Sequence, residues 1–74
     1  MGTILIELMR ENKQRESFTT YHSFVVDDRL PVPLVGDTVV VWKGKKAKVI
    51  KVERRNFWYS ASGLYLQLFF TKTE

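Results

Sequence analysis

Apolar and polar residues alternate with a period of two along much of this chain, and β-branched and aromatic residues are frequent. This spacing is typical of strands that bury one face. The predicted strands cover residues 3–10, 17–27, 38–42, a segment that begins at Lys46, residues around 57–59, and residues 64–72. The pattern therefore predicts an all-β protein with five or six strands and little or no helix.

The first of these segments has a competing interpretation as a helix. Ile4, Leu5, Leu8 and Met9 also fit the spacing of one helical face. Thr3 is the one residue before the segment that could cap a helix. Because no other helix-start signal is present, we favour a strand.

Turn residues separate the predicted strands. Residues 11–16 are charged and predict an exposed hairpin loop, while Pro31 and Pro33 predict a loop or an extended edge segment, because proline donates no ladder hydrogen bond. Gly36-Asp37 predicts a turn, Gly44 predicts a tight hairpin with a positive φ, and residues 60–63 predict a last turn. Most strands should therefore pair as antiparallel hairpins.

Two strands depart from simple alternation. After Lys46 the apolar residues change from odd to even positions, which predicts a β-bulge or sharp bend near Val49 and Ile50. Residues 64–70 are mostly apolar on both faces, which is typical of a central or well-covered strand. With 74 residues, the chain has room for one domain, residues 1–74, and we expect a small antiparallel barrel or a compact sandwich.

Residues 35–52 read VGDTVVVWKGKKAKVIKV, a Gly-Asp turn followed by a valine-rich strand, a basic glycine turn and a second strand. This segment is similar to the KOW motif of ribosomal and transcription-elongation proteins, and it resembles the opening of Src-homology-3-like small barrels. The positions that carry the resemblance are Gly36, Asp37, Val39, Val41, Gly44, Val49 and Val52. A later glycine of the motif is absent, because Ala47 and Lys48 occupy that region. The resemblance implies a small barrel and contact with RNA or DNA.

The composition gives no sign of catalysis. The chain has one histidine, His22, and no cysteine, so neither a nucleophile with its base nor a zinc cluster is indicated. Asp27 and Asp28 precede the proline-containing segment, where turn formation explains them. We therefore expect no enzyme activity, no metal, no cofactor and no small-molecule substrate. The sequence shows no membrane or secretion signal, so we expect a cytoplasmic protein.

Positive charge is concentrated in residues 43–55, which hold seven cations and one anion, whereas the chain as a whole carries a net charge of +4. Such a cluster attracts phosphate backbones, and neighbouring aromatic side chains can stack on unpaired bases. The candidate nucleic-acid contacts are Trp42, Lys43, Lys45, Lys46, Lys48, Lys51, Arg54, Arg55 and Trp58. The competing interpretation is a solvated, charged hairpin that prevents aggregation.

A protein partner is the alternative function. An acidic protein could bind the same basic segment. The last strand is apolar on both faces, so one of its faces could remain uncovered and form a dimer or partner interface. The candidate interface residues are Tyr65, Gln67 and Phe69.

Overall fold

A computed structural model describes residues 2–61 and 63–73. Six strands occupy most of these residues, and no helix is present among them. The strands are β1 (Thr3–Glu11), β2 (Phe18–Asp27), β3 (Thr38–Lys43), β4 (Lys46–Lys51), β5 (Arg54–Ser60) and β6 (Gly63–Phe70). The prediction of an all-β protein with five or six strands is therefore confirmed, including the strand at residues 3–10.

The strands form a four-stranded sheet in the order β2-β1-β6-β5 and a separate two-stranded sheet, β3-β4. Consecutive strands pair as three antiparallel hairpins, β1–β2, β3–β4 and β5–β6. The pairing of β1 with β6 is parallel and joins the first and last strands of the chain. The four-stranded sheet is therefore mixed, and the predicted fully antiparallel arrangement is wrong at this one pairing, because it joins strands that no hairpin turn connects. Since β6 lies between β1 and β5, its apolar character on both faces matches a central position.

The core lies between the two sheets. Even-numbered residues of β1 and β6 face the β3–β4 hairpin, because side chains alternate between the faces of a strand. The buried cluster contains Ile4, Ile6, Leu8, Val41, Ile50, Val52, Leu66, Leu68 and Phe70. The hairpin thus covers one face of the four-stranded sheet and leaves its other face, the outer sheet face, without a covering sheet.

The segment before β3 is anchored by a tight turn. Asp37 accepts a hydrogen bond from the Leu34 amide at 2.8 Å and returns one from its own amide to the Leu34 carbonyl at 3.0 Å. Gly36 adopts a φ of 97°, which other residues rarely tolerate. Two further backbone bonds join Gly36 and Asp37 to Val52, at 2.8 and 2.9 Å. The predicted turn therefore also holds the end of β4 in place.

The predicted bulge near Val49 and Ile50 is wrong. The β3–β4 register runs without a shift from Thr38–Lys51 to Lys43–Lys46, and the even residues Ile50 and Val52 both face the core. Val49 lies on the other face, which explains the apparent change of parity. The chain instead leaves the hairpin at residues 52–53, where the Glu53 amide donates to the Phe69 carbonyl at 2.9 Å.

A bulge does occur in the β1–β2 hairpin, where the sequence pattern did not indicate one. Leu8 pairs with His22 and Met9 with Thr20, so Tyr21 is the extra residue of β2. The Tyr21 ring packs edge-on against Phe70, with the ring centres 5.2 Å apart. The bulge turns this ring toward the core.

The last predicted turn lies partly outside the described residues, because Ser62 is not among them. Gly63 has a φ of 138°, and the Ser60 hydroxyl donates to its carbonyl at 3.0 Å. Across the described part of the chain, no helix has the length and apolar character needed to cross a membrane.

Candidate functional site

The β3–β4 hairpin presents two different faces. Val39, Val41 and Ile50 face the core, so their neighbours along the strands must face away from it. We call this second surface the hairpin outward face. It consists of Thr38, Val40, Trp42, Ala47, Val49 and Lys51.

Trp42 is the most exposed tryptophan, with 67% of its surface accessible. Its cross-strand partner is Ala47, whose side chain is too small to cover an indole ring. A shallow depression of about 200 Å³ adjoins the ring and is lined by His22, Phe24, Val39, Val40, Val41 and Trp42. Trp42 therefore offers an open aromatic face beside a hollow lined by one histidine and otherwise by apolar residues.

Four lysines of the hairpin have neither an ion pair nor a hydrogen bond with the described residues: Lys45, Lys46, Lys48 and Lys51. Lys45 is at the turn, Lys51 is on the hairpin outward face, and Lys46 and Lys48 are on the core-facing side toward the tip. The charges therefore surround the hairpin rather than forming one flat patch. Because no described carboxylate forms an ion pair with these four lysines, their positive electrostatic field attracts polyanions.

Lys43 differs from these four because it is bound within the chain. Its ammonium group donates to the Tyr21 carbonyl at 2.9 Å and lies 3.8 Å from the centre of the Tyr21 ring. This contact joins the end of β3 to β2 and combines a hydrogen bond with a cation–π interaction. Lys43 therefore ties the hairpin to the larger sheet.

The two arginines at the end of the basic segment also serve the fold. Arg54 lies 3.3 Å from the carboxylate of Glu11, which is 4% exposed, and stacks over Phe69 at 4.1 Å. Arg55 donates to the Pro33 carbonyl at 3.1 Å and stacks over Phe57 at 4.9 Å. A buried carboxylate needs such partners, because an unpaired buried charge is costly. Of the seven predicted cations, three are thus engaged inside the chain.

The second candidate tryptophan, Trp58, lies on the four-stranded sheet and not on the hairpin. Its indole nitrogen donates to Gln67 at 2.7 Å, and its ring is nearly parallel to that of Tyr65, 5° between planes and 5.8 Å between centres. Trp58 pairs with Tyr65 of β6, and cross-strand partners share a face, so Trp58 lies on the outer sheet face. The two tryptophans therefore do not share one surface.

The candidate interface residues lie on the outer sheet face but differ in accessibility. Tyr65 and Gln67 are half-buried, and Gln67 also donates to Glu7 at 3.4 Å. Phe69 is 2% exposed, so its predicted exposure is wrong. Phe18 packs edge-on against it at 5.7 Å, and Arg54 covers its ring.

Register brings a different apolar row together on the outer sheet face. Val25 pairs with Leu5, Leu5 with Tyr65, and Tyr65 with Trp58, so four side chains form one row across all four strands. Val25, Leu5 and Trp58 are 62%, 39% and 47% exposed. The sequence pattern does not indicate Val25 and Leu5 as candidates, because their row reaches Tyr65 and Trp58 only through the parallel pairing of β1 with β6, two strands that are distant in sequence.

Glu53, the one anion of the basic segment, is held by three donors. Its Oε2 accepts from the Thr71 hydroxyl at 2.7 Å and the Thr71 amide at 2.9 Å, and its Oε1 accepts from Arg15 at 2.6 Å. These hydrogen bonds, with that of the Thr71 hydroxyl the largest, lower the pKa of Glu53 below its ordinary value of 4.5. The carboxylate is therefore compensated and does not cancel the charge of the hairpin lysines.

The lowered pKa of Glu53 predicts a pH dependence of stability. The folded state binds the proton less readily than the unfolded state, so the stabilisation is present at neutral pH and is lost as the pH falls below about 4.5. Urea unfolding at several pH values should show that Glu53→Gln is less stable than the unaltered chain at pH 7 and loses less stability on acidification. The control is Glu16→Gln, which removes an exposed carboxylate in the β1–β2 loop; equal pH profiles for both variants would contradict this role.

Comparison of the chain with protein-family models, curated proteins and solved structures finds no match. The functional interpretation therefore depends on the geometry of the hairpin and the outer sheet face. Within residues 2–61 and 63–73, no group of three or more histidine or carboxylate side chains is placed to hold a metal ion.

Proposed function

We propose that this chain is a non-catalytic binding module for nucleic acid, RNA or DNA, and that the β3–β4 hairpin makes the contact. One observation carries the proposal: the same hairpin holds Trp42, which is 67% exposed, and four lysines without a described partner. Lysines that neutralise phosphates release counterions and thereby favour binding. An open indole adds stacking on any unpaired base.

The competing interpretation, a hairpin charged only for solubility, explains less. Lysines on an exposed hairpin do oppose aggregation. Solubility alone gives no reason for the same hairpin to expose Trp42 and Val40, which are 67% and 57% accessible on the hairpin outward face. The combination of free cations and an exposed aromatic ring is typical of surfaces that bind single strands.

Fluorescence anisotropy with labelled RNA and DNA at several salt concentrations tests the proposal. We expect binding at low salt that weakens as salt rises. Charge reversal at Lys46 and Lys48, which lie toward the tip of the hairpin, should weaken binding and reduce the slope of log K against log salt, by about 0.7 for each phosphate contact with a single strand that is lost.

The matched control reverses two cations outside the hairpin, Arg10 and Lys13, and so produces the same change in net charge. It should weaken binding much less than reversal at Lys46 and Lys48. Equal effects of the two double variants, or no binding of the unaltered chain at low salt, would rule out the hairpin as the contact.

A second candidate function, contact with a protein partner or a second copy of the chain, is favoured by the apolar row on the outer sheet face. Val25, Leu5 and Trp58 are exposed there in direct register. Apolar rows of this kind are common at interfaces. In sedimentation, a tight dimer insensitive to salt would favour this function, whereas a salt-sensitive monomer that co-purifies with nucleic acid would favour the first.

The proposed fold family is the Src-homology-3-like small barrel. The local order of residues 35–52 supports it: a Gly36-Asp37 turn, β3, a turn at Gly44 with a φ of 65°, and β4. The cytoplasmic location remains a prediction.

A further inference from the structure

A cleft of about 380 Å³ opens at the base of the hairpin outward face. It is lined by Thr38, Val49, Lys51, Glu53, Thr71 and Lys72. Thr38 and Lys51 are cross-strand partners, and an isolated bridge between Ile50 and Thr73 brings the segment after β6 beside β4. The cleft therefore joins the hairpin to residues that are distant in sequence.

The cleft carries an excess of positive charge. Glu53 is the one carboxylate in its lining, and both of its oxygens are already bound, by Arg15 and by Thr71. Lys51 and Lys72 have no ion pair or hydrogen bond among the described residues. Two free ammonium groups beside a compensated carboxylate select for an anion.

The lining also has an apolar component, to which Val49 contributes. Ammonium groups form strong, charge-assisted hydrogen bonds with phosphate oxygens. A phosphate attached to a sugar therefore suits the cleft, because its oxygens pair with the lysines while the carbon atoms of the sugar contact the apolar wall.

The cleft is continuous with the surface that holds Trp42. Thr38 and Lys51 belong to the hairpin outward face, and Trp42 lies four residues along β3 from Thr38. At about 3.3 Å per residue, the separation is roughly 13 Å. A flexible strand can span this distance and place an unpaired base on the indole. The bases of a duplex are stacked and paired, so they are not free to do so without flipping.

We propose that this cleft is a phosphate subsite and that, together with Trp42, it makes the hairpin outward face a two-point site for a single-stranded nucleic acid. The inference rests on the proposed function. It adds Lys72 to the site, a residue outside the basic segment at residues 43–55, and it gives the preferred ligand as single-stranded and not duplex.

Lys72→Gln tests the subsite, because this variant leaves every hairpin lysine in place. The probe is a ten-residue oligothymidylate, and the control is Lys13→Gln in the β1–β2 loop, outside the lining of the cleft. We expect Lys72→Gln to reduce the salt slope of oligonucleotide binding by about 0.7, the value for one phosphate contact with a single strand. If the oligonucleotide binds and both variants have the same slope, the subsite is wrong and the proposed function stands.

Two further measurements separate the outcomes. Inorganic pyrophosphate should shift the amide resonances of Thr38, Thr71 and Lys72 in a titration of the unaltered chain, and unchanged resonances would contradict the subsite. A duplex of the same length should bind more weakly than the oligothymidylate, and equal affinity would contradict the preference for single strands. Pyrophosphate shifts without any oligonucleotide binding would overturn both the two-point site and the proposed function.

Discussion

Replacing Leu8 with alanine should lower the free energy of unfolding by about 2–5 kcal/mol. Leu8 is fully buried in β1, where it packs in the core cluster between the four-stranded sheet and the hairpin. Removing the branched end of Leu8 loses the free energy gained by burying those apolar atoms. It also leaves a cavity, because close-packed neighbours relax only in part. Urea unfolding monitored by tryptophan fluorescence measures the change. A loss below about 1 kcal/mol would contradict the position of Leu8 in the core.

Leu5→Ala is the matched control, because Leu5 is the same residue type on the same strand but on the outer sheet face, 39% exposed. Leu5→Ala should lower the free energy of unfolding clearly less than Leu8→Ala does. The comparison also separates a strand from a helix at residues 3–11, since positions 5 and 8 would share a face in a helix. If Leu8→Ala fails to fold, Ile6→Val gives a milder measure in the same core, at about 0.5–1.5 kcal/mol.

Replacing Trp42 with alanine should weaken binding of a single-stranded oligonucleotide by about 1–3 kcal/mol, or about 5- to 150-fold, the usual worth of one stacked base. The ring is 67% exposed, so its removal should leave the stability of the fold nearly unchanged. Anisotropy titration measures the affinity, and urea unfolding checks stability. Unaltered affinity would show that Trp42 does not contact the oligonucleotide.

The chain has two tryptophans, which allows a separate fluorescence test. In Trp58→Phe the remaining indole is Trp42, and its emission should be quenched by the oligonucleotide. In Trp42→Ala the remaining indole is Trp58, which donates to Gln67 and stacks on Tyr65, and its emission should change little. Quenching of Trp58 alone would instead locate the contact on the outer sheet face.

The hairpin and the outer sheet face are independent surfaces of one small protein. Trp42 lies on the first and Trp58 on the second, and the buried core separates the two sheets. Substitutions at the hairpin lysines and at Val25 or Leu5 can therefore be interpreted separately, because they share no described contact. This separation makes the two candidate functions experimentally distinct.

Local sequence determined the strands and turns of this protein. The alternation over residues 3–10, with no helix-start signal beyond Thr3, favoured the strand that became β1, and Gly36 and Gly44 mark turns because their positive φ values suit glycine. The two-sided apolar character of residues 64–70 also indicated correctly that β6 is central. These features depend on neighbours in the chain, so a pattern of single residues predicts them.

Tertiary structure decided which of the predicted site residues are free. The basic segment appeared from the sequence as seven equivalent cations, yet Arg54 is held by Glu11 and Arg55 by the Pro33 carbonyl, while Lys46 and Lys48 are without a described partner. The parallel pairing of β1 with β6, the burial of Phe69 and the placement of Lys51 and Lys72 along one cleft likewise depend on residues far apart in the chain. Periodicity within a strand carries no information on such contacts, because it specifies which face a side chain takes and not which strand lies against that face.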